Sequence, residues 1–295
     1  MRDTRPTVGL KPTIPLIVAG QAIEPSVSVP IAAAARWAAT ADADARKRDY
    51  AAGLSIGALR GKRIGVLRYR TGTNPAVDAL FAAALATLGD RGAELVDIAE
   101  SGVPRTLGDL ELLVLHTEFK AGVNAYLATT PPAVTTHSLA DLITFNEANA
   151  ATELKLFGQR TFIEAEATRG LDDPAYLKAR AEAKRLAGPE GIDRLLATHG
   201  VSMLVAPTMG PAWMTDVVNG DQYSGGSSSQ LPAVAGYPHL TVPMGYVKGL
   251  PVGLSFIGPA WTDAEVLAAG YAYEQASMLR RAPGFLERSE DLLGR

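Results

Sequence analysis

The chain has 295 residues, 47% of them apolar and 20% charged. This is the composition of an ordinary globular protein, long enough to bury a sizeable core. A formal net charge of −3 excludes the broad basic field that holds nucleic acid or anionic lipid, and the lack of cysteine excludes disulfides and thiolate metal sites. His116, His137, His199 and His239 are scattered, with no pair at the close spacing of metal ligands.

Near the N-terminus, Lys11 precedes the apolar run Ile14 to Ala19, which resembles the layout of a signal peptide. The run is short, prolines interrupt it and no small-x-small site ends it, so a signal peptide is not assigned. No apolar run approaches the ~18 residues of a membrane-spanning helix. The expectation is a soluble cytoplasmic protein with neither membrane nor nucleic acid as partner.

Residues 1–50 carry many alanines, scattered prolines and little consistent period; alanine content allows a helix over Ile31 to Ala45. A firm pattern starts after Gly61. Ile64 to Leu67 predicts a buried strand. Asn74-Pro75 opens a helix, a capping side chain followed by proline in the first turn. Val77, Leu80, Phe81, Ala84, Leu85 and Leu88 give it one apolar stripe, and Gly89 and Gly92 end it. Glu94 to Ile98 is a second strand, so this stretch reads as a βαβ unit.

Helices are predicted over Leu107 to Tyr126, Ser138 to Asn149, and Asp172 to His199, the last broken at Gly188-Pro189. Its outward charges read as a solvated face. Strands return at Met203 to Ala206, followed by Pro207-Thr208. A glycine- and serine-rich loop covers Asn219 to Ser229. Leu240 to Val242 and Val252 to Ile257 are strands joined by a loop holding Gly245, Gly249 and Pro251. The last helix starts at Thr262, with Glu265 completing a capping box. Its apolar face includes Val266, Leu267, Tyr271 and Met278, and a frayed tail follows from the 280s. The fold class is α/β, a mixed sheet flanked by helices.

Four segments, in order, resemble the amidase-signature family: Val8 to Thr13 (VGLKPT), Leu204 to Thr208 (LVAPT), Ala233 to Pro243 (AVAGYPHLTVP) and Gly249 to Gly258 (GLPVGLSFIG). The run Gly225 to Ser229 before the third segment is closest in spelling to the peptide-amidase branch. The resemblance covers residues 41–280 well, 8–13 locally and 14–40 poorly. It implies an incomplete amidase-signature fold in which residues 41–295 are the C-terminal part of an amidase domain and residues 1–40 an atypical or rearranged segment. A deletion or shifted reading frame would account for that segment.

The resemblance also implies amide hydrolysis without cofactor or metal. In the family a serine attacks the carbonyl, a second serine on a cis peptide bond bridges it to a buried neutral lysine, and backbone N–H groups hold the oxyanion. Those residues precede the GLKPT segment, and no position of this chain matches them. No catalytic residue is therefore assigned, and the chain alone is expected to be inactive. The alternatives are a non-catalytic binding or assembly module, or one half of a split amidase whose N-terminal half comes in trans.

Ser224 to Ser229 spells something like the missing glycine-serine core, but it follows the APT strand, where the peptide-amidase branch has a loop of its own. Two readings stand: glycines that let the backbone turn closely, or a loop that lines a substrate cleft. On the second, Asp221, Ser227 and Ser228 contact a small amide or peptide-amide substrate. Asp216 with Asp221 could form an acid pair, but nothing fixes their separation, and loop solvation is the plainer reading. Lys11 reads as structural rather than as a base. His239, before a buried strand, reads as a satisfied core or edge histidine. Residues 1–40 have too little apolar period to cover a large apolar face, so an exposed one is expected.

Overall fold

The computed structural model describes residues 16–18, 21–23, 43–221, 223–224 and 226–285. The chain forms two units, Met1–Arg48 and Asp49–Arg295. In the first, β1 (Leu16–Val18) pairs antiparallel with β2 (Gln21–Ile23), Leu16 opposite Ile23. The VGLKPT segment with Lys11, and most of the helix expected over Ile31 to Ala45, lie outside the described residues.

The second unit is built on a five-stranded mixed sheet. β3 (Arg63–Leu67) pairs in parallel with β4 (Glu94–Ile98) on one side and β5 (Met203–Pro207) on the other. β7 (Leu250–Ile257) runs antiparallel to β5, and β6 (His239–Val247) antiparallel to β7. The spatial order is β4-β3-β5-β7-β6.

Helices cover both faces because alternate strand residues point to opposite sides. Ile64, Val66, Met203, Val205, Leu254 and Phe256 join the core shared with α1 (Pro75–Asp90) and α9 (Asp263–Ser277). Their neighbours Leu67, Leu204, Ala206 and Ile257 join a second core shared with α6 (Pro174–Ala187), α7 (Arg194–His199) and α8 (Gln230–Ala235). Gly65 faces that second core. A Cβ there would stand 2.7 Å from Ile98 Cδ1 and 2.8 Å from Leu204 Cδ2, so the missing side chain is what lets these two meet. Beyond α6 lies α2 (Leu107–Leu127), joined to it by Tyr176 Oη donating to Glu118 Oε1 at 2.7 Å. α3 (Leu139–Ala148), α4 (Ala150–Glu153) and α5 (Arg160–Glu166) follow α2 in the chain.

The βαβ unit forms as expected. Asn74 caps α1, accepting from Ala76 N at 3.1 Å and Val77 N at 3.4 Å, and the predicted stripe is the buried face, Leu80 being half-buried. Ser138 likewise caps α3, accepting from Asp141 N at 3.1 Å. Four expectations need correction. The β6–β7 connection is a tight turn at Lys248-Gly249, not a loop from Gly245: the strands stay paired, Gly245 opposite Val252 and Tyr246 opposite Pro251, past an irregularity between Pro243 and Gly245. Gly245, at φ +151, absorbs that irregularity. At Gly188-Pro189 the chain widens into a π turn over Gly188–Asp193 and continues as α7, where a break was expected. The capping box at Thr262 does not form, because Thr262 Oγ1 donates to Pro259 O at 2.7 Å. The buried face of α9 is Val266, Ala269, Gly270, Ala272 and Tyr273; Met278 is 72% exposed.

Among the described residues no helix is long and apolar enough to cross a membrane, and no group of acidic and histidine side chains is placed to hold a metal ion.

Candidate functional site

On the face shared with α8, β7 carries Ser255 and β6 carries His239 and Thr241 among otherwise mostly apolar positions. Thr208 follows β5 directly, and its N–H donates to Gly253 O at 2.8 Å. Across β7, Ser255 lies opposite both Ala206 and Thr241. The hydroxyls meet: Thr208 Oγ1 is 2.8 Å from Ser255 Oγ and 2.7 Å from Thr241 Oγ1. His239 Nε2 sits 2.6 Å from Ser255 Oγ. Gly253 is the space that admits them, since a Cβ there would overlap Thr241 Oγ1 and lie 2.9 Å from Thr208 Oγ1.

The glycine-serine loop closes on this cluster. Ser228 N–H donates to Thr208 O at 3.1 Å, and the Ser228 hydroxyl reaches Ser255 Oγ at 3.1 Å. The chain therefore leaves at Thr208 and returns at Ser228 with its two ends hydrogen-bonded, a long loop with a pinned neck. The loop reaches over the carboxyl ends of the parallel strands. Asn74 Nδ2 at the start of α1 donates to Ser224 Oγ at 3.1 Å. Gly226 packs on the backbone after β3, where an added Cβ would stand 3.2 Å from Arg70 O. In open α/β sheets this is the end at which ligands bind.

Burial pushes the His239 imidazole below the ordinary histidine range. The ring is thus held neutral, and with the ring proton on Nδ1, Nε2 accepts from the Ser255 hydroxyl. Serine beside a neutral imidazole has the form of a nucleophile and its base. Burial decides against that role, because Ser255 has 0% exposure and no carbonyl carbon can approach its oxygen. The cluster instead fixes the neck of the loop through mutually satisfied hydroxyls.

The residues assigned from sequence separate here. Ser228 is 3% exposed and its hydroxyl is spent inside the protein. Ser227 is half-buried, its Oγ 2.8 Å from Ser229 Oγ. Asp221 is exposed on the loop. Asp216 forms a local turn: Oδ1 accepts from Val218 N at 2.8 Å and Asn219 N at 2.9 Å. These bonds hold its carboxyl below the usual carboxylate range. The loop also presents apolar surface. Trp213 and Tyr223 rings lie 5.5 Å apart, and Met214, Val217 and Val218 are 72%, 61% and 85% exposed.

Thr208, Thr241 and Ser255 were not singled out from sequence. The available signal was alternation: His239-x-Thr241 and Gly253-x-Ser255 each place small or polar residues two apart within strands otherwise apolar.

A family model described as Amidase matches residues 6–267. Among solved structures, the native peptide amidase of Stenotrophomonas maltophilia is 45% identical, with a TM-score of 0.70, covering 81% of this chain and 47% of that one. An amidase family protein of Bacillus anthracis is 30% identical with a TM-score of 0.62, over 81% of this chain and 43% of that one. A probable amidase of Arabidopsis thaliana is 28% identical over 239 residues, 79% of this chain and 41% of its own length. The chain thus spans somewhat under half the length of these relatives.

Proposed function

The chain belongs to the amidase family, and from that premise we propose that residues 41–295 are the substrate-facing C-terminal part of an amide hydrolase acting on carboxamides or peptide amides. The observation that carries this reading is the pinned loop. It is fixed at its neck by Thr208, Ser228 and Ser255 and crosses the ligand-binding end of the sheet. Its exposed Trp213, Met214 and Tyr223 offer apolar surface to an acyl group, and Asp221 and Ser227 offer polar contacts, while Ser228 acts from beneath by anchoring the loop. Such a loop positions a substrate; it supplies neither nucleophile nor base. Hydrolysis then needs a serine–serine–lysine unit in the same assembly, and this stretch alone is inactive, since losing a catalytic unit costs ~10⁴–10⁶-fold in rate.

A second reading, one half of a split amidase or an assembly module, is favoured by α2. Leu112, Leu115, Phe119 and Tyr126 recur on one helical face at three-, four- and seven-residue steps and are 49%, 55%, 39% and 70% exposed. An apolar stripe of that kind suits a partner chain.

The test is hydrolysis of a peptide amide by the purified chain, alone and mixed with the N-terminal half of a peptide amidase. Turnover only in the mixture supports the reading and the split arrangement. Binding of the peptide amide without turnover in either sample supports the binding module. Turnover by the chain alone, abolished by Ser227→Ala, would overturn the proposal and make the loop the catalyst.

A further inference from the structure

A second site lies at the same end of the sheet, between the turn after β3, the segment 101–108 and the start of α8. It is a cavity of about 250 Å³, the share of roughly eight liquid waters. Its polar lining comes from Arg70, Ser101, Arg105 and Gln230, and the first residues of α2, Leu107 and Gly108, close one side. Pro104 and Arg105 are exposed, so the rim meets solvent.

Two arginines line the cavity and no acidic side chain does. Arg70 Nε is buried without a hydrogen-bond partner. The Arg70 guanidinium stands 5.2 Å from the centre of the Tyr69 ring. Burial raises the Tyr69 phenol above its ordinary range, opposed by the charge of Arg70, by a hydrogen bond from Arg70 and by the charge of Arg194. Arg194 itself donates to Ser101 O and Glu190 O, both backbone carbonyls, and gains no carboxylate from either. Three acids on neighbouring elements already have partners. Glu111 accepts from Gln230 Nε2 at 2.7 Å, Asp97 pairs with Arg68 at 2.8 Å and Asp193 accepts from Tyr237 Oη at 2.6 Å. No carboxylate lines the cavity. Buried donors are rarely left unmatched, and a guanidinium presents a planar fork suited to oxyanions. The amino end of α2, a 21-residue helix, adds positive potential.

We propose that this cavity binds a small oxyanion, a carboxylate or a phosphate, with Arg70 as its inner ligand and Arg105 as its outer one. The proposal does not depend on amide hydrolysis. Arg70 packs through its backbone against Gly226, and Gln230 begins the helix that follows the loop, so an anion held here touches the base of the substrate loop.

The experiment titrates the full chain with sodium acetate and, separately, with inorganic phosphate, at ionic strength held constant with chloride. Calorimetry gives the affinity, and the Arg70 Nε–Hε resonance, assigned by its loss in Arg70→Leu, reports the site. Saturable binding at about millimolar Kd is expected, with a shift of that resonance. Arg105→Ser, an exposed position whose change leaves the fold intact, should weaken binding about 3-fold, and Arg70→Leu about 10-fold, the loss of one charge-assisted contact. Tighter phosphate assigns a dianion, and tighter acetate a carboxylate. No saturable shift with either anion, or affinities that Arg105→Ser and Arg70→Leu leave unchanged, would overturn it.

Discussion

Ser255→Ala removes the one atom on which the hydroxyl cluster converges. Its oxygen has Thr208 Oγ1 at 2.8 Å, His239 Nε2 at 2.6 Å and Ser228 Oγ at 3.1 Å as neighbours. Two of these keep another partner: Thr208 retains Thr241, and Ser228 retains Thr208 O at 3.4 Å. Only the imidazole nitrogen is left bare. The loss is therefore one buried group unsatisfied, at about 1–3 kcal/mol, plus two weakened bonds worth roughly 0.5 kcal/mol each. The total comes to about 2–4 kcal/mol. With a urea m-value of about 2–3 kcal/mol/M for a unit of this size, the unfolding midpoint should fall by about 1 M at unchanged m. In a His239→Ala background the same substitution should cost about 1 kcal/mol less, because the bared nitrogen is already gone. Limited proteolysis within residues 209–227 should accelerate in step, since the loop's neck is loosened. A midpoint shift under about 0.2 M, or costs that simply add in the double variant, would refute the cluster as a connected unit.

Three further outcomes follow from the same geometry. Gly191→Ala should destabilise by about 2–3 kcal/mol by denaturant unfolding, because its Cβ would stand 2.7 Å from the backbone carbonyl of Leu186 across the π turn; a neutral result would remove that turn. His239 has a folded pKa below its ordinary value of about 6.5, so the unfolded chain binds the extra proton first. Its contribution to stability is complete above that value and is lost as pH falls toward the folded pKa; urea midpoints of the wild type should drop more than those of His239→Gln over this window, and parallel curves would count against a buried neutral ring. Tyr237 is pushed up to about 12 by burial, with Asp193 adding to the rise. Its contribution is present below about pH 10 and lost as pH rises toward the folded value, so Tyr237→Phe should flatten the alkaline limb while costing about 1 kcal/mol at neutral pH.

The framework of the second unit was legible wherever a local signal had no competitor. Asn74-Pro75 capped a helix, the period of 3.6 from Val77 to Leu88 found its buried face, and short apolar runs marked β3, β4 and β5. The errors have physical causes. Gly245 and Pro251 read as loop because glycine and proline usually interrupt a ladder. β6 accommodates the first at an irregularity, and Pro251 pairs opposite Tyr246 near the start of β7. Thr262 with Glu265 spelled a capping box, but the hydroxyl had a closer acceptor in Pro259 O, which no spacing rule reports. Gly188-Pro189 read as a break. The chain instead takes a π turn, and Gly188 gives room to the Tyr237 ring, whose Oη would lie 3.1 Å from an added Cβ.

The site was harder to read because its members are set by register, not by sequence distance. Ser228 and Ser255 are 20 and 47 residues from Thr208, and the three meet only because β5 pairs with β7 at Ala206 opposite Ser255. Sequence alone gave the loop and its serines, and could not divide their roles. Their burial differs: Ser228 is buried at the neck, Ser227 is half-buried and Asp221 is exposed. This division sets how a variant series must be read. Ser228→Ala acts on the loop's position and should lower affinity for a peptide amide together with stability. Ser227→Ala and Asp221→Ala should touch affinity while leaving the urea midpoint in place. If all three moved the midpoint alike, the loop would be part of the folding core and not a surface held out for a ligand.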